Sequence, residues 1–191
     1  MTMNTSQKIN LRTSLLVLLI LLAAFSRLIP HLPNFSPLAA ISLFGAAYFK
    51  KAWQTFLIPI AATWLSDLLI NNVVYAEYFP SFTWFYPGFY WQYGSYLLIA
   101  LGGLLMLKKV NVTSVIGAGL MATAVFFLIT NFAVWMGSKT YPQNFAGLIS
   151  CYVAGIPFLK GTLLGNLVYS GALFGTFAWM QQRYKLASSK M

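Results

Sequence analysis

A chain of 191 residues, 59% of them hydrophobic and 7% charged, would expose too much apolar surface as a water-soluble domain, so its solvent is lipid. Its formal charge of +10 comes from Lys and Arg set singly or in pairs between apolar runs, without the basic stripe or stacking platform that a nucleic-acid surface needs. A single cysteine, Cys151, excludes an internal disulfide framework and any clustered-thiolate zinc or iron–sulfur site.

A bilayer core about 30 Å thick takes roughly 20 apolar residues per helix, which leaves room for six or seven crossings and one membrane domain over 1–191. The first apolar run, 11–28, follows Lys8 and Arg12 and ends in Arg27 and Pro30 without a small-x-small cleavage site. It reads as a retained crossing rather than a signal peptide. The second, 37–49, makes only about 20 Å of helix and needs support from its flanks, from neighbouring helices or from a thinned membrane. Runs at 52–74, 93–107, 112–135 and 158–180 complete an all-α bundle of six transmembrane helices.

Lys and Arg counts orient the bundle, because every connection is short enough for the positive-inside rule. With the N-terminus in the cytoplasm, Lys8, Arg12, Lys50, Lys51, Lys108, Lys109, Arg183, Lys185 and Lys190 are inside, and Arg27, Lys139 and Lys160 are outside. The double lysines stand where an even number of crossings returns to the cytoplasm, so both termini are expected there, in a bacterial inner membrane. Elaborate connections fall on the outer side: a Pro-rich stretch with the only histidine, His31; an aromatic loop over 75–92; and the segment 136–157. Loops of that kind concentrate function on one face. Aromatic side chains also girdle membrane interfaces, and a dense run in one loop suits a lid or pocket wall as well.

Charged and amide side chains in hydrocarbon are costly, by roughly 2.5 to 3.5 kcal/mol for a charge, and mark candidate sites. Counted from the inner edge at about 1.5 Å per residue, Asp67, Asn131 and Asn166 reach one level in the outer third, with Asn71 a turn beyond Asp67 and with His31 and Lys160 just above. Such groups must be buried between helices or hydrated, so a cavity open to the outside is expected. Trp84, Tyr86, Trp91, Trp135, Tyr141 and Tyr152 are the candidate walls or lid for a flat, partly polar ligand. Cys151 and His31 are candidate ligands for a soft or borderline metal; no other metal site and no cofactor is expected. Small pairs spaced by four, Gly161 with Gly165, Gly171 with Gly175 and Ala118 with Ala122, permit close packing within the bundle or against a partner. Asp67 and Glu77 are the only acids, and no catalytic motif or Walker loop is present, so no catalytic residues are assigned and any ATP-driven cycle needs a partner.

The stretches RLIPHLPNFSPLAAISLFGAAYF, WLSDLLI, TNFAVW and YPQNFAGLISCYVAGIPFLKGTLLGNLVYSGALFG resemble an uncharacterised bacterial family of putative transport membrane proteins. The resemblance marks His31, Asn34, Asp67, Asn131, Trp135, Tyr141, Cys151 and Tyr152 among its motif positions without giving them roles. In size and layout the chain is also similar to the S-components of energy-coupling factor (ECF) transporters, which bind vitamins or metal ions. That similarity implies an outer substrate pocket and, as partners, a transmembrane coupling protein and ATPases. The expected function is therefore the substrate-binding subunit of a small-molecule importer; the competing reading is a membrane scaffold that docks another protein through its glycine pairs.

Overall fold

The computed structural model describes residues 5–184 and residue 186. Among these the chain is all-helical, with α1 (Thr5–Phe25), α2 (Leu38–Tyr48), α3 (Ala52–Leu69), α4 (Phe89–Met106), α5 (Val112–Gly137) and α6 (Phe145–Tyr184). Four stretches are long and apolar enough to cross a membrane: Ile9–Leu28, Ala52–Val74, Val112–Gly137 and Phe145–Tyr184. Two of the charges used for orientation, Lys185 and Lys190, lie outside the described residues, as does the Lys8 side chain.

Helix α1 buries one stripe, Arg12, Leu16, Ile20 and Ala24, repeating every fourth residue, and turns Leu18 and Leu22 outward. Arg12 belongs to the buried stripe. Its Nη2 donates to the Tyr48 carbonyl at 2.5 Å, at the C-terminal end of α2, and its guanidinium lies 5.9 Å from the Phe177 ring centre. The negative end of a helix dipole and an aromatic face thus take the place of a carboxylate partner.

Helix α2 has only 11 residues, and every one is buried. The short second run is explained by this position: α2 packs against all five other helices. Two glycines permit the approach. A Cβ at Gly45 would stand 2.8 Å from Pro59 Cγ of α3, and one at Gly103 of α4 would stand 2.9 Å from Ala46 Cβ. Below them Phe44 meets Phe174 and Phe177 edge-on, at 86° and 88°, an arrangement the ring quadrupoles favour.

The third helical stretch keeps the expected bounds, Ala52–Val74, with its last turn π-helical over Ile70–Val74. Two other boundaries differ from the sequence expectation. Helix α4 starts at Phe89, four residues before 93, because Gly88 takes φ +78° and starts the helix there. The largest difference is α6, which starts at Phe145 instead of 158 and includes Pro157. Asn144 caps it: its Oδ1 accepts the Gly147 N–H at 2.9 Å, and its carbonyl accepts the Leu148 N–H. The outer connection expected over 136–157 is thereby reduced to 138–144.

Candidate functional site

The turn after α1 brings Arg27 onto α3. Its Nη1 donates to Asp67 Oδ1 at 2.6 Å and to Ser66 Oγ at 2.8 Å. Tyr93 of α4 donates its phenol to the other carboxylate oxygen, Oδ2, at 2.8 Å. Asp67 is 5% exposed, and both its oxygens are engaged by neighbouring segments. The acid expected in the polar floor is paired with Arg27, and it joins the end of α1, α3 and α4.

The π-helical turn shifts the register of α3 by one residue and separates two asparagines with different work. Asn72 exchanges two hydrogen bonds with the backbone of Thr83: Nδ2 donates to its carbonyl at 2.9 Å, and Oδ1 accepts its N–H at 2.6 Å. This clasp ties the aromatic loop down. Asn71 points inward, 7% exposed, and its Nδ2 has no partner among the described residues. A buried amide proton without an acceptor is costly and calls for an explanation.

Four recesses open around this point. One of about 260 Å³ is lined by Arg27, His31, Asn34, Gln92, Thr162 and Asn166 among others. A second, of about 360 Å³, has Asn131, Tyr141 and Cys151. The third, of about 560 Å³, has Tyr86 and Trp91, and the fourth, of about 450 Å³, has Arg27, Asp67, Asn71 and Tyr86. Gln92 lines all four. It stands one turn into α4 and is half-buried, and among the described residues its side-chain amide makes no hydrogen bond. Sequence reading passed it over because it closes an aromatic loop and opens an apolar run, with no spacing to mark it.

The structure distributes the predicted residues over this group of recesses rather than around one cavity. Asn166 donates Nδ2 to Thr123 Oγ1 at 2.8 Å, fully buried between α6 and α5. Asn131 donates to the Phe127 carbonyl of its own helix, and its backbone carbonyl accepts from Cys151 Sγ at 3.4 Å. Asn34 adopts φ +59°, which asparagine tolerates better than most residues. It lies in the extended segment that crosses α6 where Gly161 and Gly165 leave room; a Cβ at Gly165 would meet Ser36 N at 2.7 Å. This glycine pair therefore serves a loop crossing and not a helix partner. His31 and Cys151 line different recesses.

Of the expected wall residues, Trp84, Trp135 and Tyr152 line none of the four recesses. Trp84 stacks on Trp64 with ring centres 6.3 Å apart and accepts the Trp64 indole N–H at its carbonyl. Trp135 donates to the Pro142 carbonyl, and Tyr152 to the Leu128 carbonyl. All three brace neighbouring elements.

In charge the recesses are balanced, since Arg27 and Asp67 cancel. Among the groups left without a hydrogen bond within the described residues are Asn71 Nδ2, the Gln92 amide and the Tyr86 phenol. Burial first, and then the charge of Asp67, pushes the Tyr86 phenol well above its ordinary range, while Arg27 opposes the shift. The phenol therefore stays protonated and available as a donor. Such a set suits an uncharged ligand carrying acceptor atoms and a flat face.

A family model described as a family of unknown function, DUF6580, matches residues 7–188 of the chain. No curated protein and no solved structure matches it.

Proposed function

Because the chain belongs to the family of unknown function DUF6580, and membership assigns no activity, we propose a role from its geometry: it is the substrate-binding membrane subunit of a small-molecule importer. In this reading all six helices cross a bacterial inner membrane, both termini are cytoplasmic, and the recesses open to the outside. The observation that carries it is the convergence of two unspent amides, Asn71 and Gln92, on adjoining recesses at one end of the bundle. Aromatic walls from Tyr86, Trp91 and Tyr141 and neutral donors suit a vitamin-like or cofactor-precursor molecule. The likeness to ECF S-components belongs to this proposal. With no Walker loop in the chain, ATP energy comes through a transmembrane coupling protein and its ATPases.

Identification by mass spectrometry of a small molecule that co-purifies with the protein tests the reading. A flat, acceptor-bearing compound should be retained by the unaltered chain and retained less by Asn71→Leu and by Gln92→Ala. A chain that retains no compound and supports uptake of none in cells would defeat it.

A further inference from the structure

At the end of the bundle opposite the recesses, α5 and α6 part. They pack closely where Ala118 and Ala122 are fully buried and where Gly119 approaches Leu167. One turn further on, Gly171 and Gly175 have nothing within 4 Å of where a side chain would begin. The opening is a groove of about 730 Å³, larger than any of the four recesses. Val112, Val115 and Ile116 form one wall, Gly171 and Gly175 the other, and Lys108 and Lys109 stand at its mouth.

Small residues and lysines alone would be unremarkable. The second observation is Ser170, which lines this groove and is 2% exposed. The other buried Ser and Thr hydroxyls, those of Ser42, Thr55, Thr63, Ser66, Ser95, Thr123 and Thr162, each donate to a carbonyl one turn back. Ser170 does not, and its Oγ has no partner among the described residues. In hydrocarbon an unpaired hydroxyl is costly, and an acceptor on a molecule in the groove would relieve that cost.

The chemistry of the occupant follows from the levels of the lining groups. Counting both antiparallel helices from the Gly119–Leu167 approach, the N-terminus of α5 at Val112 lies level with Phe174. Ser170 is four residues deeper, about 6 Å at the helical rise. The mouth is positive, from two lysines and the N-terminal dipole of α5. The chain's two acids, Asp67 and Glu77, lie in the recess group and in the turn after α3, away from this groove. We infer that the groove binds one anionic phospholipid. Its phosphate sits at Lys108 and Lys109, an ester carbonyl accepts from Ser170, and the glycerol and first methylenes lie on the bare face of Gly171 and Gly175. Basic pockets between membrane helices hold acidic lipid headgroups in this manner. The topology proposed above makes this the cytoplasmic leaflet; retention of the lipid depends neither on that topology nor on the outer recesses.

The test is native mass spectrometry of the purified full chain after incubation with equal amounts of phosphatidylglycerol and phosphatidylcholine. The unaltered protein should retain phosphatidylglycerol in at least about fivefold excess, the factor expected for one lysine near an anionic headgroup. Lys108→Gln with Lys109→Gln should abolish the preference, and the corresponding pair of arginines should keep it. Gly175→Leu should expel the lipid with both lysines intact, and Gly171→Leu reads the same space should that variant fold poorly. Ser170→Ala should weaken retention of the ester lipid but leave an ether-linked analogue unaffected. Equal retention of both lipids, or indifference to the leucine variants, would overturn the inference. So would disulfide cross-linking of Gly171→Cys between two copies, which would put protein in the groove instead.

Discussion

Tyr93 donates to the one oxygen of Asp67 that Arg27 leaves free, at 2.8 Å. A single carboxylate thereby joins α4, α3 and the turn that ends α1. Removing one member of such a set strands the others, which costs about 3 kcal/mol or more in the interior, whereas removing both charges restores part of that loss. Asp67→Asn should therefore lower the unfolding temperature in detergent more than Arg27→Met with Asp67→Leu does. If the double variant is the less stable of the two, the pair is not the fastening described.

Asn71 separates ligand binding from stability. Its Nδ2 is buried without an acceptor, so Asn71→Leu removes an unsatisfied donor and should leave the unliganded chain as stable as before, or more so. Ligand retention should fall by about tenfold, the equivalent of one lost hydrogen bond of about 1.4 kcal/mol. Parallel loss of stability and retention, read by thermal unfolding and by ligand occupancy, would mean that the amide is structural.

The two glycine pairs of α6 should respond in opposite ways. A methyl at Gly165 collides with the backbone of Ser36, while Gly171 and Gly175 face open space. Gly165→Ala should destabilise by about 1–3 kcal/mol through overpacking. Gly171→Ala should be neutral or stabilising by about 0.5–1 kcal/mol, because alanine suits a helix interior better. Thermal unfolding of the two variants side by side decides this.

Much of the fold was legible because long apolar runs with few charges favour helices. Each apolar run became a helix, and Asn144 explains why the last was misplaced: a capping asparagine stands before the Gly and Pro residues that read as a loop, and Pro157 is carried inside the helix. The site was legible only in part. Asp67 and Asn71 stood out as polar groups in an apolar run, but the partner of Asp67 is 40 residues away, and no local spacing encodes that meeting. Gln92 carried no signal, since its importance comes from where the elements converge. The contacts of Trp84, Trp135 and Tyr152 were not legible, because composition shows that a ring is present but not what it touches.

Topology is directly measurable, since six crossings require that Glu77 and Ser138 share one face and Lys109 the other. In a Cys151→Ser background, Glu77→Cys and Ser138→Cys should react with an impermeant thiol reagent added to intact cells. Lys109→Cys should react only after the membrane is opened. The argument turns on α2 and α4: α2 is too short to span a core of about 30 Å alone, and the outer half of α4 carries Gln92, Tyr93 and Ser95. If α4 fails to cross, Lys109 shares its labelling with Glu77; if α2 fails to cross, the pattern inverts, and Lys109→Cys reacts in intact cells while Glu77→Cys and Ser138→Cys react only after the membrane is opened.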